Sequence, residues 1–345
     1  MKTSETVLVT GGTGFVGLYC ILQLLQKGCH VKTTLRSLSR KEEVLDTLRA
    51  NGSPSLDNLT FVEADLTSDA NWDEAVQGCT YVLHVASPIF FTPLKDEDEQ
   101  LKPAVEGTLR VLRAARNAGV RRVVLTSSFG AVGFGQTDSR IETTEADWTD
   151  PALKGLSTYE KSKVLAERAA WNFIKQEGGT LELSVLNPVA ILGPSLGTHV
   201  SGSFGILQHL LDGSMKAVPN IALNVVDVRD VADLHLRAMT APGAKGQRFI
   251  ASADGQISMP EVAQLLRENF PAATQQVSTK TVPDWVIRLA SLFNTQAKTA
   301  VLLLKVSRNV SNAKARRLLS WTPIATNKEA VLASMRSILE YQIGK

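Results

Sequence analysis

The sequence predicts an α/β fold, a Rossmann-type doubly wound parallel sheet carrying a smaller, discontinuous C-terminal substrate lobe. Three observations predict it. A β-branched and apolar run, Val7 to Thr10, enters a turn with glycines at 11, 12, 14 and 17, and an apolar stretch from Leu18 to Leu25 reads as helix after it. Short buried-type strands then alternate with helical patterns as far as Pro188. At 345 residues the chain exceeds a typical domain of ~100 to 200 residues, which leaves room for a second lobe. We expect residues 1–188 to form a dinucleotide-binding domain to which 225–252 return, and 189–345 to supply most of the substrate lobe.

The turn satisfies two spacings at once, Gly12-x-Gly14-x-x-Gly17 and Gly11-x-x-Gly14-x-x-Gly17. Between a strand and a helix, such glycines let the backbone approach a pyrophosphate lying at the helix N-terminus. Val31 to Leu35 is a second strand, and Arg36 ends it. An acidic residue there would receive the ribose 2′-hydroxyl of NAD. The chain instead offers Arg36, Ser37, Ser39, Arg40 and Lys41, with no carboxylate before Glu42. Guanidinium groups grip a 2′-phosphate in two-pronged fashion, so the expected cofactor is NADP(H).

Lys41 to Ala50 reads as helix and Leu59 to Ala64 as a third strand, ending at Asp65-Leu66. Asp65 either meets an adenine or caps the next helix. Tyr81 to Ala86 is a fourth strand, with Ser87-Pro88 turning the chain after it, and His84 inside it reads as a core histidine. The charged run Lys95 to Gln100 opens a long helix to Ala118, capped by Gly119. Arg122 to Thr126 is a fifth strand with Ser127-Ser128 at its carboxyl end, where ligands gather in open α/β sheets.

A loop-like stretch follows from Gly130 to Pro151. Ser157 then opens a helix with an apolar stripe at Leu165, Ala169 and Phe173, and Leu181 to Leu186 is a sixth strand ending at Asn187-Pro188. Beyond it the rhythm loosens. We expect a Gly- and Ser-rich lip at 193–205, a strand over Val225 to Val231 with a helix from Ala232 to Met239, a strand at Arg248 to Ala251, a helix at Pro260 to Glu268, and two helices around Trp321-Thr322-Pro323. Residues 271–300 show no regular pattern.

The net charge of +3, from 37 basic and 34 acidic residues spread along the chain, gives no case for a nucleic-acid partner. No run of 18 apolar residues exists, so no membrane partner is expected. Cys20, Cys29 and Cys79 are odd in number and lack CxxC spacing, which suggests neither a disulfide framework nor a zinc site, so no metal is expected, and a reducing, cytoplasmic setting suits them. The expected partner is a small carbonyl substrate, and the protein is expected to be a monomer or homodimer.

Tyr159 and Lys163, four apart on one helix, share a face. A phenol beside an ammonium can protonate a carbonyl oxygen, since the positive charge stabilises phenolate. A strand-end serine can hydrogen-bond that oxygen as charge develops on it. The rival pattern Gly193-Pro194-Ser195-Leu196-Gly197 has the letters of a hydrolase elbow, but Pro194 and the Gly- and Ser-rich sequence after it are wrong for a strand-turn-helix.

Taken together, VTGGTGFVG (9–17), Arg36, HVASP (84–88), VVLTSS (123–128), YEKSK (159–163), NPVAILGP (187–194), VDVRDVA (226–232), GQRFIAS (246–252) and SNAKARRLLSW (311–321) resemble the extended short-chain dehydrogenase/reductases. They resemble in particular the branch of dihydroflavonol, cinnamoyl-CoA and methylglyoxal or isovaleraldehyde-type carbonyl reductases. The resemblance implies Ser128 as the catalytic serine, with Ser127 as alternative, Tyr159 as proton donor and Lys163 as its modulator. It implies cofactor contacts from Gly11, Thr13, Gly14, Phe15, Val16, Gly17, Tyr159 and Lys163, with Arg36 and Arg40 at the 2′-phosphate, Asp65 and Leu66 at adenine, Ala86 and Ser87 midway, and Pro188 and Val189 at the nicotinamide end. Phe90, Phe91, Phe129, Phe134 and Phe204 are candidates for the substrate pocket. Gly133 stands where flavonoid enzymes of this branch carry Asn, and the NWCY motif of the acyl-CoA enzymes is missing, so small or aryl aldehydes, ketones and ketoesters are the expected substrates. An epimerase or hydroxysteroid dehydrogenase on the same fold, and a non-catalytic NADP sensor, are the alternatives.

Overall fold

The computed structural model describes residues 5–53, 55–88 and 96–343. In chain order its elements are β1 (Thr6–Thr10), α1 (Phe15–Gln26), β2 (His30–Leu35), α2 (Lys41–Ala50), β3 (Leu59–Glu63), α3 (Trp72–Val76), β4 (Tyr81–His84), α4 (Asp98–Asn117), β5 (Arg122–Thr126), α5 (Thr158–Glu177), β6 (Glu182–Pro188) and β7 (Ala190–Leu192). The remainder comprises α6 (Phe204–Leu211), β8 (Val218–Pro219), β9 (Ala222–Leu223), β10 (Val225–Asp227), α7 (Val228–Thr240), β11 (Gln247–Ala251), β12 (Ile257–Ser258), α8 (Met259–Asn269), β13 (Thr281–Val282), α9 (Asp284–Ala290), α10 (Thr295–Lys305), α11 (Ala313–Leu319) and α12 (Asn327–Glu340).

Seven strands form one parallel sheet in the order β11-β6-β5-β4-β1-β2-β3. The chain reverses direction across the sheet between β1 and β4, the crevice where open α/β sheets bind ligands. Val7, Leu8 and Val9 are wholly buried, as a central strand covered on both faces requires. One core lies under α1, α2 and α7 and the second under α3, α4 and α5. Three two-stranded ribbons, β10-β7, β12-β9 and β13-β8, build the lobe above the carboxyl edge.

Several boundaries differ from the sequence reading, each for a local reason. The first helix begins at Phe15 rather than Leu18, because Gly14 already stands at its N-cap in extended conformation. The run VVDVRDV is strand only to Asp227. That carboxylate accepts from Arg229 N and caps α7, so Val228 to Val231 are helical. The helix expected after Asp65 is the short α3, and α9 and α10 occupy the stretch without pattern. On α5 the residues turned inward are Lys163, Ala166, Glu167, Ala170 and Phe173, whereas Leu165 and Ala169 are half-buried. Polar groups occupy core positions there, so an apolar stripe misplaces the face.

Candidate active site

The glycine turn is built by close approach. Gly11 has φ +76°, a left-handed conformation that side chains resist. A Cβ on Gly12 would stand 2.2 Å from Thr33 Oγ1, and one on Gly17 would stand 2.3 Å from the Gly11 carbonyl. Gly14 differs. Its φ of −80° suits any residue, and a Cβ there would meet only the Gly11 carbonyl, at 3.2 Å. The protein leaves that space to something else. Helix α1 has no side chain capping it and no acid in its first turn, so the amides of Phe15, Val16 and Gly17 and the dipole behind them suit an anion. Thr13 lies between these glycines, and its Oγ1 accepts from Arg40 Nη1 at 3.3 Å.

The strand ends carry the other expected residues. Arg36 is exposed beyond β2. Burial raises the nearby Asp65 carboxyl, but the bonds from Thr67 N and Oγ1, both 2.7 Å, with the charges of Arg36 and Arg110 behind them, hold it below its ordinary range. Arg40 is paired with Glu43 through Nε and Nη2, both at 2.9 Å, and also touches His199. Asp65 closes a local turn rather than capping α3, whose N-cap is Asn71. Leu66 packs on Gly107 of α4, where a Cβ would come within 2.9 Å of it. Ala86 N donates to Thr10 Oγ1 at 3.0 Å, drawing the end of β4 against the glycine turn. Val189 N donates to the Ala251 carbonyl at 3.1 Å, and Pro188 pairs with Ala251, so β11 fixes both. Ala86, Ser87, Thr126, Ser127, Lys163 and Glu167 enclose a cavity of ≈ 10 Å³, about one water's room.

The two serines part ways. Ser127 Oγ is buried and donates to Glu167 Oε2 at 2.5 Å. Ser128 is half-buried, and its Oγ accepts from Gly130 N at 3.1 Å; among the described residues no acceptor takes its own proton. Tyr159 and Lys163 lie in the first turns of α5, which Ser157 caps through Glu160 N. Lys163 Nζ stands 5.8 Å from the Tyr159 ring centroid and donates to the Thr126 carbonyl at 3.4 Å, so helix and strand end are tied together at the site. The expected lowering of the phenol is not seen in the protein alone. Burial, and then the charge of Glu160, push Tyr159 up to about 12. Burial brings Lys163 down to about 8, with Glu167 opposing. At neutral pH the phenol is therefore fully protonated and the amine largely charged.

Sequence reasoning missed the layer beneath. Glu167 is wholly buried and accepts from Ser127 Oγ, from Asn187 Nδ2 at 2.7 Å, from Trp171 Nε1 at 3.2 Å and from Arg248 Nε at 2.6 Å. Asn187 Nδ2 also donates to the Ser128 carbonyl at 3.1 Å, and Arg248 Nη1 binds the carbonyls of Glu145 and Asp147. Ser128 is thus held through Asn187 by a buried ion pair. The available signal was Glu167 four residues after Lys163, on the same face.

Two buried histidines flank this layer. His84 Nδ1 lies 2.9 Å from Thr10 Oγ1, which also accepts from Ala86 N, while His235 Nδ1 donates to the Val231 carbonyl, so its neutral ring accepts at Nε2 from Thr126 Oγ1 at 2.6 Å. Burial, helped by Lys163, brings His84 down to about 3, and burial brings His235 down to about 4. The unfolded chain takes up these protons first. Their contribution to stability is therefore full above pH ~6.5 and is lost as pH falls toward the folded values. Each is expected to cost about 2 kcal/mol by pH 5. Urea unfolding at pH 7 and pH 5 checks this, and His84→Gln should remove its share of the difference.

Of the pocket candidates, Phe204 is wholly buried against Phe15, 5.3 Å between centroids, and belongs to the core. Phe129 and Phe134 pack edge to face at 6.1 Å. A Cβ on Gly133 would meet Phe129 at 2.2 Å, so an Asn there would require the ring to move. Phe90 and Phe91 lie outside the described residues. Ser195 Oγ donates to the Gly197 carbonyl at 2.5 Å, and no helix follows before Phe204, unlike a nucleophile elbow. Among the described residues no group of three or more metal-ligating side chains occurs, and no helix is long and apolar enough to cross a membrane.

A family model for the NAD dependent epimerase/dehydratase family matches residues 7–251. An anthocyanidin reductase ((2S)-flavan-3-ol-forming) of Vitis vinifera is 33% identical over 282 residues, covering 77% of this chain and 81% of that protein. Cinnamoyl-CoA reductase 1 of Petunia hybrida is 36% identical over 273 residues, covering 78% of each. The crystal structure of yeast methylglyoxal/isovaleraldehyde reductase Gre2 complexed with NADPH matches with a TM-score of 0.80 at 26% identity, covering 98% of this chain and 99% of that one.

Proposed function

Because the chain belongs to the NAD dependent epimerase/dehydratase family, within the carbonyl reductase branch of the extended short-chain dehydrogenase/reductases, we propose that it reduces small or aryl aldehydes, ketones and ketoesters to alcohols with NADPH. One observation carries the reading. Exposed Arg36, which ends β2 where an acid would receive a ribose 2′-hydroxyl, flanks the glycine turn at the carboxyl ends of the strands, where Ser128 and the first turns of α5, with Tyr159 and Lys163, also lie. The yeast relative's NADPH complex supports the choice of cofactor.

Bound NADPH supplies a hydride for the carbonyl carbon. Ser128 donates its free hydroxyl proton in a hydrogen bond to the carbonyl oxygen, with Gly130 N fixing the direction of Oγ. Tyr159, protonated at neutral pH, gives that oxygen its proton. Lys163, charged below pH ~8, stabilises the phenolate left behind. The positions expected to hold the cofactor are Gly11, Thr13, Gly14, Phe15, Val16, Gly17, Arg36, Arg40, Asp65, Leu66, Ala86, Ser87, Tyr159, Lys163, Pro188 and Val189.

A panel of aldehydes and ketones followed by NADPH absorbance, with chiral analysis of the alcohols, tests the reading; no consumption across the panel would overturn it in favour of a cofactor sensor. Arg36→Asp is expected to shrink the preference for NADPH over NADH roughly 10- to 100-fold, the worth of one charge-assisted contact. Equal use of both cofactors by the unaltered enzyme would instead favour the epimerase alternative.

A further inference from the structure

One helix and the turn after it hold four large apolar side chains in water. Trp285 is 66% exposed, Leu289 55%, Leu292 68% and Phe293 88%, while α9 buries only Ile287. Bonds from Leu292 N to the Leu289 carbonyl and from Phe293 N to the Ala290 carbonyl continue the helical path, so these four share one side of it. Contiguous apolar surface of this kind marks an interaction site.

The stretch of chain that carries them is lopsided in charge. Residues 271–310 contain five Lys and Arg and a single acid, Asp284; the rest of the chain carries 32 basic against 33 acidic residues. The whole positive excess of the protein is therefore gathered here. Lys280, Arg288, Lys298 and Lys305 are exposed. The chain around α9 and α10 is tied to the rest of the protein. β13, just before α9, pairs with β8; the Lys298 carbonyl of α10 lies 3.1 Å from a Cβ on Gly155; and after α10 Ser307 N donates to the Gln136 carbonyl and Thr143 N to the Asn309 carbonyl, both at 2.8 Å. The apolar side faces outward from a fixed support.

We propose that this face docks on an anionic lipid surface. Two copies meeting through it about a twofold axis would bring Arg288, one helical turn from Trp285 and from Leu292, against its own copy, which disfavours a dimer. Phe293, almost fully exposed, protrudes; a protein partner would need a matching pocket, whereas the headgroup layer yields to it. Trp285 suits the interface and the cations suit acidic headgroups. Such a helix lies in the surface and needs no spanning segment, so the lack of an 18-residue apolar run does not bear on it.

The test is co-sedimentation of the full chain with phosphatidylcholine vesicles and with vesicles containing phosphatidylglycerol. Partition to the acidic vesicles alone is expected. Arg288→Gln and Lys298→Gln should each weaken it about fivefold, and Leu292→Ser with Phe293→Ser should abolish it, with thermal midpoint and NADPH consumption unchanged. Binding requires no turnover, so its failure is separable from failure of the reductase reading. Protein remaining in the supernatant with both vesicles would overturn the proposal. So would equal binding to neutral vesicles, or a dimer seen in sedimentation that Phe293→Ser dissolves while no vesicle binds.

Discussion

Tyr159→Phe is expected to lower the rate of carbonyl reduction by roughly 10²- to 10⁴-fold, the usual worth of a placed general acid, while NADPH binding measured by fluorescence stays near its original strength. The substitution removes one hydroxyl and keeps the ring beside which Lys163 Nζ lies, so the start of α5 should hold its shape. A stopped-flow measurement with saturating NADPH separates the chemical step from cofactor affinity. If the variant turned over at the original rate, another donor would have to be sought. Ser128 would be the first to try, since among the described residues no acceptor takes its proton.

Arg248→Met is expected to destabilise the fold by about 3–5 kcal/mol, because it strands the wholly buried Glu167 carboxylate without its cation. Three donors would remain, from Ser127, Asn187 and Trp171, but no positive charge paired directly with it. Denaturant unfolding measures the loss. Replacing Glu167 as well, by Leu, should restore much of it, as apolar pairs often serve as well as buried ionic ones. A single variant as stable as the original protein would mean that the pair contributes nothing.

Much of this architecture was legible in the sequence, because parallel strands buried on both faces write themselves as short β-branched runs. Val7 to Thr10, Val31 to Leu35 and Arg122 to Thr126 all lie in observed strands, and the glycine turn follows from its spacing. Edges of elements were less legible where a side chain decides them. Asp227 turns a run that looks like strand into helix by capping it. The candidate triad was readable because Tyr and Lys one helical turn apart form a local pattern. Its support was not, because Glu167, Asn187 and Arg248 come from three separate segments and meet only in three dimensions. Nor does spacing tell Ser127 from Ser128; only their partners distinguish them. The 271–300 stretch resisted reading since α9 leaves most of its large side chains outside, so no inward face marks its period.

The outermost strand of the sheet, β11, arrives late in the chain yet carries Arg248, without which the layer under Ser128 is incomplete. A ribosome-bound nascent chain that has emerged only as far as β6 would hold every glycine of the nucleotide turn and every member of the presumptive proton-transfer set. It would still lack the guanidinium that neutralises the floor beneath them. Competence should consequently arise in one late step of synthesis, and the N-terminal half excised as an autonomous module would be a poor starting point for engineering.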